Sequence, residues 1–290
     1  MSKLSTTVAI FSSLSIALVS PISIVQAQVV SLNVSPMVTI TKLNSSQAKA
    51  SFSVTNQGQA PLRVRIYAQD FDYDREDGYR KIGDHPYSAK PYVQFSPREL
   101  VVAPGVTRDV RVNVIIPPSR PDGEYRVAIF TQDLTERKID GSNTKLVTFV
   151  RPQIASIFFI TKGNELPKLS AESVGWNLEN KRPRLVFKNK GSASAYLGFN
   201  WQLKQGDREI SRNEVSGVVL QAGKERAVDI KIDPATKLAP GNYTLVGEIE
   251  NNDDKKVPFS LSLTVPRSGD SVPRKNTSIE TTPSKTLPIK

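Results

Sequence analysis

The chain predicts an all-β protein of two antiparallel β-sandwich domains. Three observations carry that expectation. Apolar and polar residues alternate along nearly all of 29–265, turn residues punctuate the alternation at roughly ten-residue intervals, and one pattern occurs twice. A period of two places one set of side chains on each face of an extended chain, whereas no stretch of twelve residues carries a clear helical stripe. Only 165–179 is ambiguous.

The alternation is plain in Phe52-Ser53-Val54-Thr55, Leu62-Arg63-Val64-Arg65-Ile66 and Val110-Arg111-Val112-Asn113-Val114. It returns in Val228-Asp229-Ile230-Lys231-Ile232 and Phe259-Ser260-Leu261-Ser262-Leu263. Asn-Gln-Gly, Pro-Gly, Asp-Gly and Ala-Gly lie between such runs, where Gly and Asn admit the positive φ of tight turns.

FSVTNQGQAPLRVRI at 52–66 aligns with LVFKNKGSASAYLGF at 185–199, matching Asn56 to Asn189 and Gly58 to Gly191. LVVAPGVTRDVRVNV at 100–114 aligns with VVLQAGKERAVDIKI at 218–232, and PDGEYRV at 121–127 with APGNYTL at 239–245. The offsets are 133, 118 and 118 residues in the same order, so the first copy carries a 15-residue insertion near 70–95. Tyr125 and Tyr243 are equivalent; each is either a half-buried aromatic or a tyrosine that caps the core with its hydroxyl outward, as in immunoglobulin-like sandwiches.

Residues 1–27 read as a cleaved secretory leader: Lys3, a serine-diluted apolar stretch over 8–19, Pro21, and Val25-Gln26-Ala27 before the cut. The alternative is an uncleaved anchor, but the unbroken apolar run is short of the roughly 18 residues a spanning helix needs. The expected division is then residues 28–162, a linker over 163–168, a second domain over 169–266, and a disordered basic tail over 267–290.

Composition excludes much chemistry. The 290 residues contain no cysteine and one histidine, His85, so disulfides, thiol nucleophiles, Cys-ligated metals and multi-His sites are impossible, and a Ser–His–Asp triad has only His85 to use. His85 is expected to be an exposed loop residue. No catalysis and no cofactor are expected. The charge of +11, from 39 basic and 28 acidic residues, is dispersed, and no nucleic-acid motif accompanies it. It serves solubility or weak contact of the tail with anionic envelope components. Asp70, Asp72, Asp74, Glu76 and Asp77 suggest a solvated hairpin closed at Asp77-Gly78, or a weak cation site; a calcium loop of the helix–loop–helix type fails because Arg75 and Lys81 stand at its glycine and glutamate positions.

FSVTNQGQAPLRVRIYAQ, VQFSPRELVVAPGVTRDVRV and IIPPSRPDGEYRVAIF, within a chain opening VSLNVSP, resemble the periplasmic pilus-assembly chaperones over residues 29–265. That resemblance implies two immunoglobulin-like domains, the last strand of the first adding to an extended client segment and offering alternate apolar side chains. The implied partners are secreted, pilus or surface subunits, and the implied place is the periplasm or outside the cell. The client-binding residues are Leu146, Val147, Phe149, Ile154 and Phe158, unless the segment is an interior strand. The family's client-carboxylate anchors, an arginine on the first strand and a lysine on the last, fall near Pro36 and at Val147, or at Ala155 or Ser156, all uncharged. Glu124 and Arg151 match an interdomain ion pair. The alternatives are a cell-surface structural or adhesive immunoglobulin-like module, or a carbohydrate- or calcium-binding module using the acidic hairpin.

Overall fold

Residues that alternate in sequence stand on opposite faces of strands. The computed structural model describes residues 31–135, 137–140, 147–233, 235–251 and 256–267, with 137–140 and 147–150 described by backbone alone. The leader over 1–27, nearly all of the tail over 267–290, and Leu146 lie outside the described residues. No helix among the described residues is long and apolar enough to cross a membrane.

The strands up to residue 162 are β1 (Leu32–Ser35), β2 (Val38–Lys42), β3 (Gln47–Asn56), β4 (Leu62–Gln69), β5 (Phe71–Asp74), β6 (Gly78–Lys81), β7 (Val93–Ser96), β8 (Glu99–Val102), β9 (Thr107–Ile115), β10 (Gly123–Asp133), β11 (Arg137–Asp140), β12 (Val147–Val150) and β13 (Gln153–Lys162). One sheet has the order β1-β3-β9-β7 and the other β2-β13-β10-β4-β8. The chain passes from the first sheet to the second between Ser35 and Val38, so β1 pairs antiparallel with β3 while β2 pairs parallel with β13. Phe52, Val64, Val112, Val127 and Phe158 fill the space between the sheets.

Beyond residue 162 the strands are β14 (Leu169–Asn177), β15 (Arg182–Asn189), β16 (Ala195–Gln205), β17 (Arg208–Leu220), β18 (Glu225–Asp229), β19 (Gly241–Glu250) and β20 (Lys256–Val265). Their sheets run β14-β15-β18 and β17-β16-β19-β20, enclosing Leu185, Phe187, Trp201, Leu203 and Leu245. The fold is therefore the all-β double sandwich that alternation predicted, and the ambiguous stretch over 165–179 contains the strand β14. With no cysteine, stability rests on such burial, about 1.5–3 kcal/mol per large apolar side chain.

The two copies share more than a pattern. Asn56 Nδ2 donates to Ala60 O and Val102 O, both 2.8 Å, and Asn189 Nδ2 donates to Ala193 O (2.8 Å) and Leu220 O (3.2 Å). Gly58 N and Gly191 N each donate to that asparagine's Oδ1 at 2.9 Å. Glycine is required at 191, since a Cβ there would lie 2.3 Å from Leu166 O. Tyr125 and Tyr243 are both buried and both donate to the carbonyl four residues upstream, Pro121 O and Ala239 O, at 2.8 Å. Of the two expectations for these tyrosines, the core cap with its hydroxyl engaged is the one observed.

Asn189→Ala orphans these buried carbonyls and the Gly191 amide. At about 1–3 kcal/mol per unsatisfied group, the expected loss from these three is at least about 3 kcal/mol, visible as a lower urea midpoint at unchanged slope.

Candidate functional site

The first site element is an arm. β10 and β13 pair from Gly123↔Lys162 to Gln132↔Gln153. Asp133 N then donates to Pro152 O at 2.9 Å, and β11 and β12 continue the pairing from Arg137↔Val150 to Asp140↔Val147. On the other side of β13, β2 pairs only from Ile157 to Thr161. Among the described residues no strand pairs with the outer edge of Gln153–Ser156 or of β12.

Peptide direction alternates along a strand. Ile157 N points away from β10 and donates to Met37 O at 2.8 Å, so Ala155 and Gln153 also turn their backbone groups outward. Met37, 59% exposed, stands beside this open edge. Ser156 is buried and its Oγ donates to Pro36 O at 3.2 Å. These are two of the positions where the resemblance puts charges, and here they meet uncharged.

Val147 and Phe149 lie in β12, opposite Asp140 and Lys138. Ile154 is half-buried against the inner core. Phe158 differs from expectation: it is 1% exposed, between the sheets and near Phe52. The reason is that the second half of β13 is interior, flanked by β10 and β2, with Ile157 and Phe159 buried on its other face. A strand covered on both faces reads as a continuous apolar run.

Glu124 and Arg151 are not brought together. Glu124 stands opposite Thr161 at one end of the β10–β13 ladder, and Arg151 precedes β13 at the other, roughly 33 Å away at strand rise. Glu124 instead accepts hydrogen bonds from Ser194 N and Ser194 Oγ of the second sandwich. Burial pushes its carboxyl above the ordinary value, against the opposing pull of Ser194 and Arg126.

The second element is the acidic hairpin, β5–β6, which sequence reasoning placed in solvent. Its turn falls at 75–77 before Gly78, as expected, but its exposure does not. Phe71, Tyr73 and Tyr79 cover the outer face of β10 and β13 around Phe130 and Phe159, with Val219 of the second sandwich joining them. Asp70 is 3% exposed, and Asp72 accepts from Lys224 Nζ (3.0 Å) and Gln221 Nε2 (2.9 Å), with Arg126 Nη2 at 3.4 Å. Tyr73 N donates to Gln221 Oε1, Ala227 N to Arg75 O, Arg226 Nη1 to Asp74 O, and Arg184 Nη1 to Glu76. Burial works against ionisation of Asp72, but the bonds from Lys224 and Gln221 outweigh it and hold its carboxyl below the usual value. The aspartates thus serve a seam between sandwiches, and among the described residues no three His, Asp or Glu converge to hold a metal. The insertion in one copy, with aromatics on its second face, was the available signal.

His85 is half-buried rather than exposed, because its Nε2 lies 2.8 Å from Arg126 Nη2, which donates to the neutral ring. Burial and then the Arg126 charge push its pKa below 6.5; Lys224 adds to this, while Asp72 and Asp70 oppose it. A depressed native value means that the neutral ring's contribution is complete above about pH 6.5 and is lost as pH falls through the native pKa. His85→Gln is expected to flatten the fall of unfolding free energy as pH drops below about 6.5, measured by urea titration at each pH.

Fold and site together define a double β-sandwich protein with a strand edge on one unit that has no partner strand among the described residues, and a polar seam joining that unit to the next. No protein-family model and no curated protein matches the chain. Among solved structures it is similar to the YadV chaperone (11% identity, 80% of this chain and 100% of that one, TM-score 0.43). It is similar also to the class 5 fimbriae chaperone CfaA (10%, 80% and 99%, 0.41) and to a chain of the CsuC–CsuE chaperone–tip subunit pre-assembly complex from Acinetobacter baumannii (13%, 80% and 99%, 0.41).

Proposed function

We propose that this is an exported, chaperone-like protein that binds extended segments of secreted, pilus or surface subunits by strand addition along the outer edge of β12–β13, without catalysis. One observation carries the reading: the outward backbone groups of Gln153 and Ala155 have no partner strand among the described residues. Exposed edges of this kind are normally blunted, and strand-adding proteins keep them open. Main-chain bonds would supply affinity, with Leu146, Val147, Phe149 and Ile154 supplying selectivity and Phe158 supporting the strand from the core. The uncharged Pro36–Ser156 contact favours capture along a segment rather than by its terminal carboxylate. The proposed setting is the periplasm or the cell exterior, reached through the leader over 1–27, with the tail over 267–290 touching anionic envelope components.

Ala155→Pro tests it. Proline deletes a donor on the open side and leaves the β10 ladder intact, a substitution edge strands tolerate. A photo-reactive residue at position 147, followed by mass spectrometry, identifies the client. In Ala155→Pro that crosslink is expected to disappear while the unfolding midpoint shifts little. Undiminished crosslinking would overturn the reading.

A further inference from the structure

The second sandwich carries a groove that the proposed strand-binding edge does not use. It is an open cleft of about 870 Å³ between the β14–β15 turn and the segment after β18. Trp176 and Arg182 come from strands, Lys181 from the turn, and Lys231, Asp233 and Lys237 from the opposite wall.

Its electrostatics are unlike the surface nearby. Along β15, Arg184 next to the groove is neutralised by Asp229 (2.6 Å) and Glu76 (2.8 Å), and Lys188 at the far end by Glu225 (3.1 Å). In the groove, no carboxylate among the described residues lies within ion-pair distance of Lys181, Lys231 or Lys237. Arg182 uses its Nε on the Asn180 carbonyl at 3.2 Å. Four cations therefore face one another across the cleft with Asp233 as the single acid lining it. Like charges held together without counterions destabilise a fold unless an anion joins them.

Two further features make this wall more than a loose surface. Lys181 has φ 49°, a left-handed conformation that glycine or asparagine adopts more readily, and such outliers gather at functional sites. The turn that carries it is pinned, since Asn177 Nδ2 and Asn180 Nδ2 both donate to the Asp229 carboxylate, the latter at 2.8 Å. Trp176 is half-buried against the sandwich core, so its ring is a fixed apolar platform inside a cationic rim.

We infer that this groove binds an acidic polysaccharide, a sugar ring lying on Trp176 while its carboxylate meets Lys181, Arg182, Lys231 and Lys237. A bare phosphate would have no use for the aromatic platform. A small ligand would bury most of its surface, which an open cleft does not allow. A chain of uronic acids supplies flat apolar ring faces and regularly spaced anions together.

The experiment is calorimetric titration of the protein lacking its leader with alginate oligosaccharides in about 0.15 M salt, with neutral dextran oligosaccharides and polyphosphate as separate arms. Alginate is expected to bind and dextran to give no heat. Trp176→Ala, and separately the exposed-wall pair Lys231→Glu with Lys237→Glu, are expected to weaken alginate by about tenfold or more. Ala155→Pro and removal of 268–290 should leave alginate binding unchanged, which separates this site from the strand edge and from the tail. No alginate heat overturns the inference. So does polyphosphate binding as tightly as alginate, or alginate affinity indifferent to the groove substitutions. If Trp176→Ala unfolds, the charge-reversed wall variant decides alone.

Discussion

Asp72→Ala is expected to split a single calorimetric unfolding transition into two and to lower stability by about 3–5 kcal/mol, the cost of leaving a buried charge without its partner. The charge that loses its nearest carboxylate is Arg126, whose side chain is 9% exposed, whose Nε is already committed to Phe71 O, and which keeps only the more distant pull of Glu124 and Asp70. Asp72 is where the first sandwich meets Lys224 and Gln221 of the second, so its removal opens the seam as well as depriving the arginine of that carboxylate. Lys224→Ala provides the contrast. Its side chain is 42% exposed, and loss of a partly solvated pair costs no more than about 1 kcal/mol. Equal effects of the two substitutions, or one unchanged transition in Asp72→Ala, would show that the seam does not couple the sandwiches.

The other large effect is expected from Phe158→Ala, a loss of about 3–5 kcal/mol from a cavity between the sheets of the first sandwich. Phe158 touches the region of Phe52 and is closed in by β2 and β10. Ile154→Ala, on the half-buried stretch, should cost about 1–2 kcal/mol, at or below the low end of such truncations. Urea unfolding of both variants distinguishes a core residue from a client contact. Full stability in Phe158→Ala with client crosslinking abolished would reverse the assignment.

Strand alternation and the internal repeat made the double sandwich legible, and the matched asparagines and tyrosines prove to be matched hydrogen-bonding devices. The crossing at Ser35–Val38 was hidden because period two continues unbroken while the chain changes sheets, and only pairing partners reveal the change. That crossing decides which half of β13 stays open. The acidic hairpin misled for a related reason. Asp-Phe-Asp-Tyr-Asp has two usable faces, and a run of aspartates ordinarily belongs in water. Here the aromatic face is buried on β10 and β13, and Asp72 on the other face is held by partners as remote in sequence as Lys224. Glu124 was read as half of an ion pair with Arg151, but its partner is a serine that no charge pattern could disclose.

The piece that grips the neighbouring unit is encoded in the first copy alone. Had both copies carried it, each unit could have seized the next and the duplication would have been the start of a fibre. With neither, the units would have been beads on a thread. Possession by one copy gives the tandem a direction, with a member that grasps and a member that is grasped.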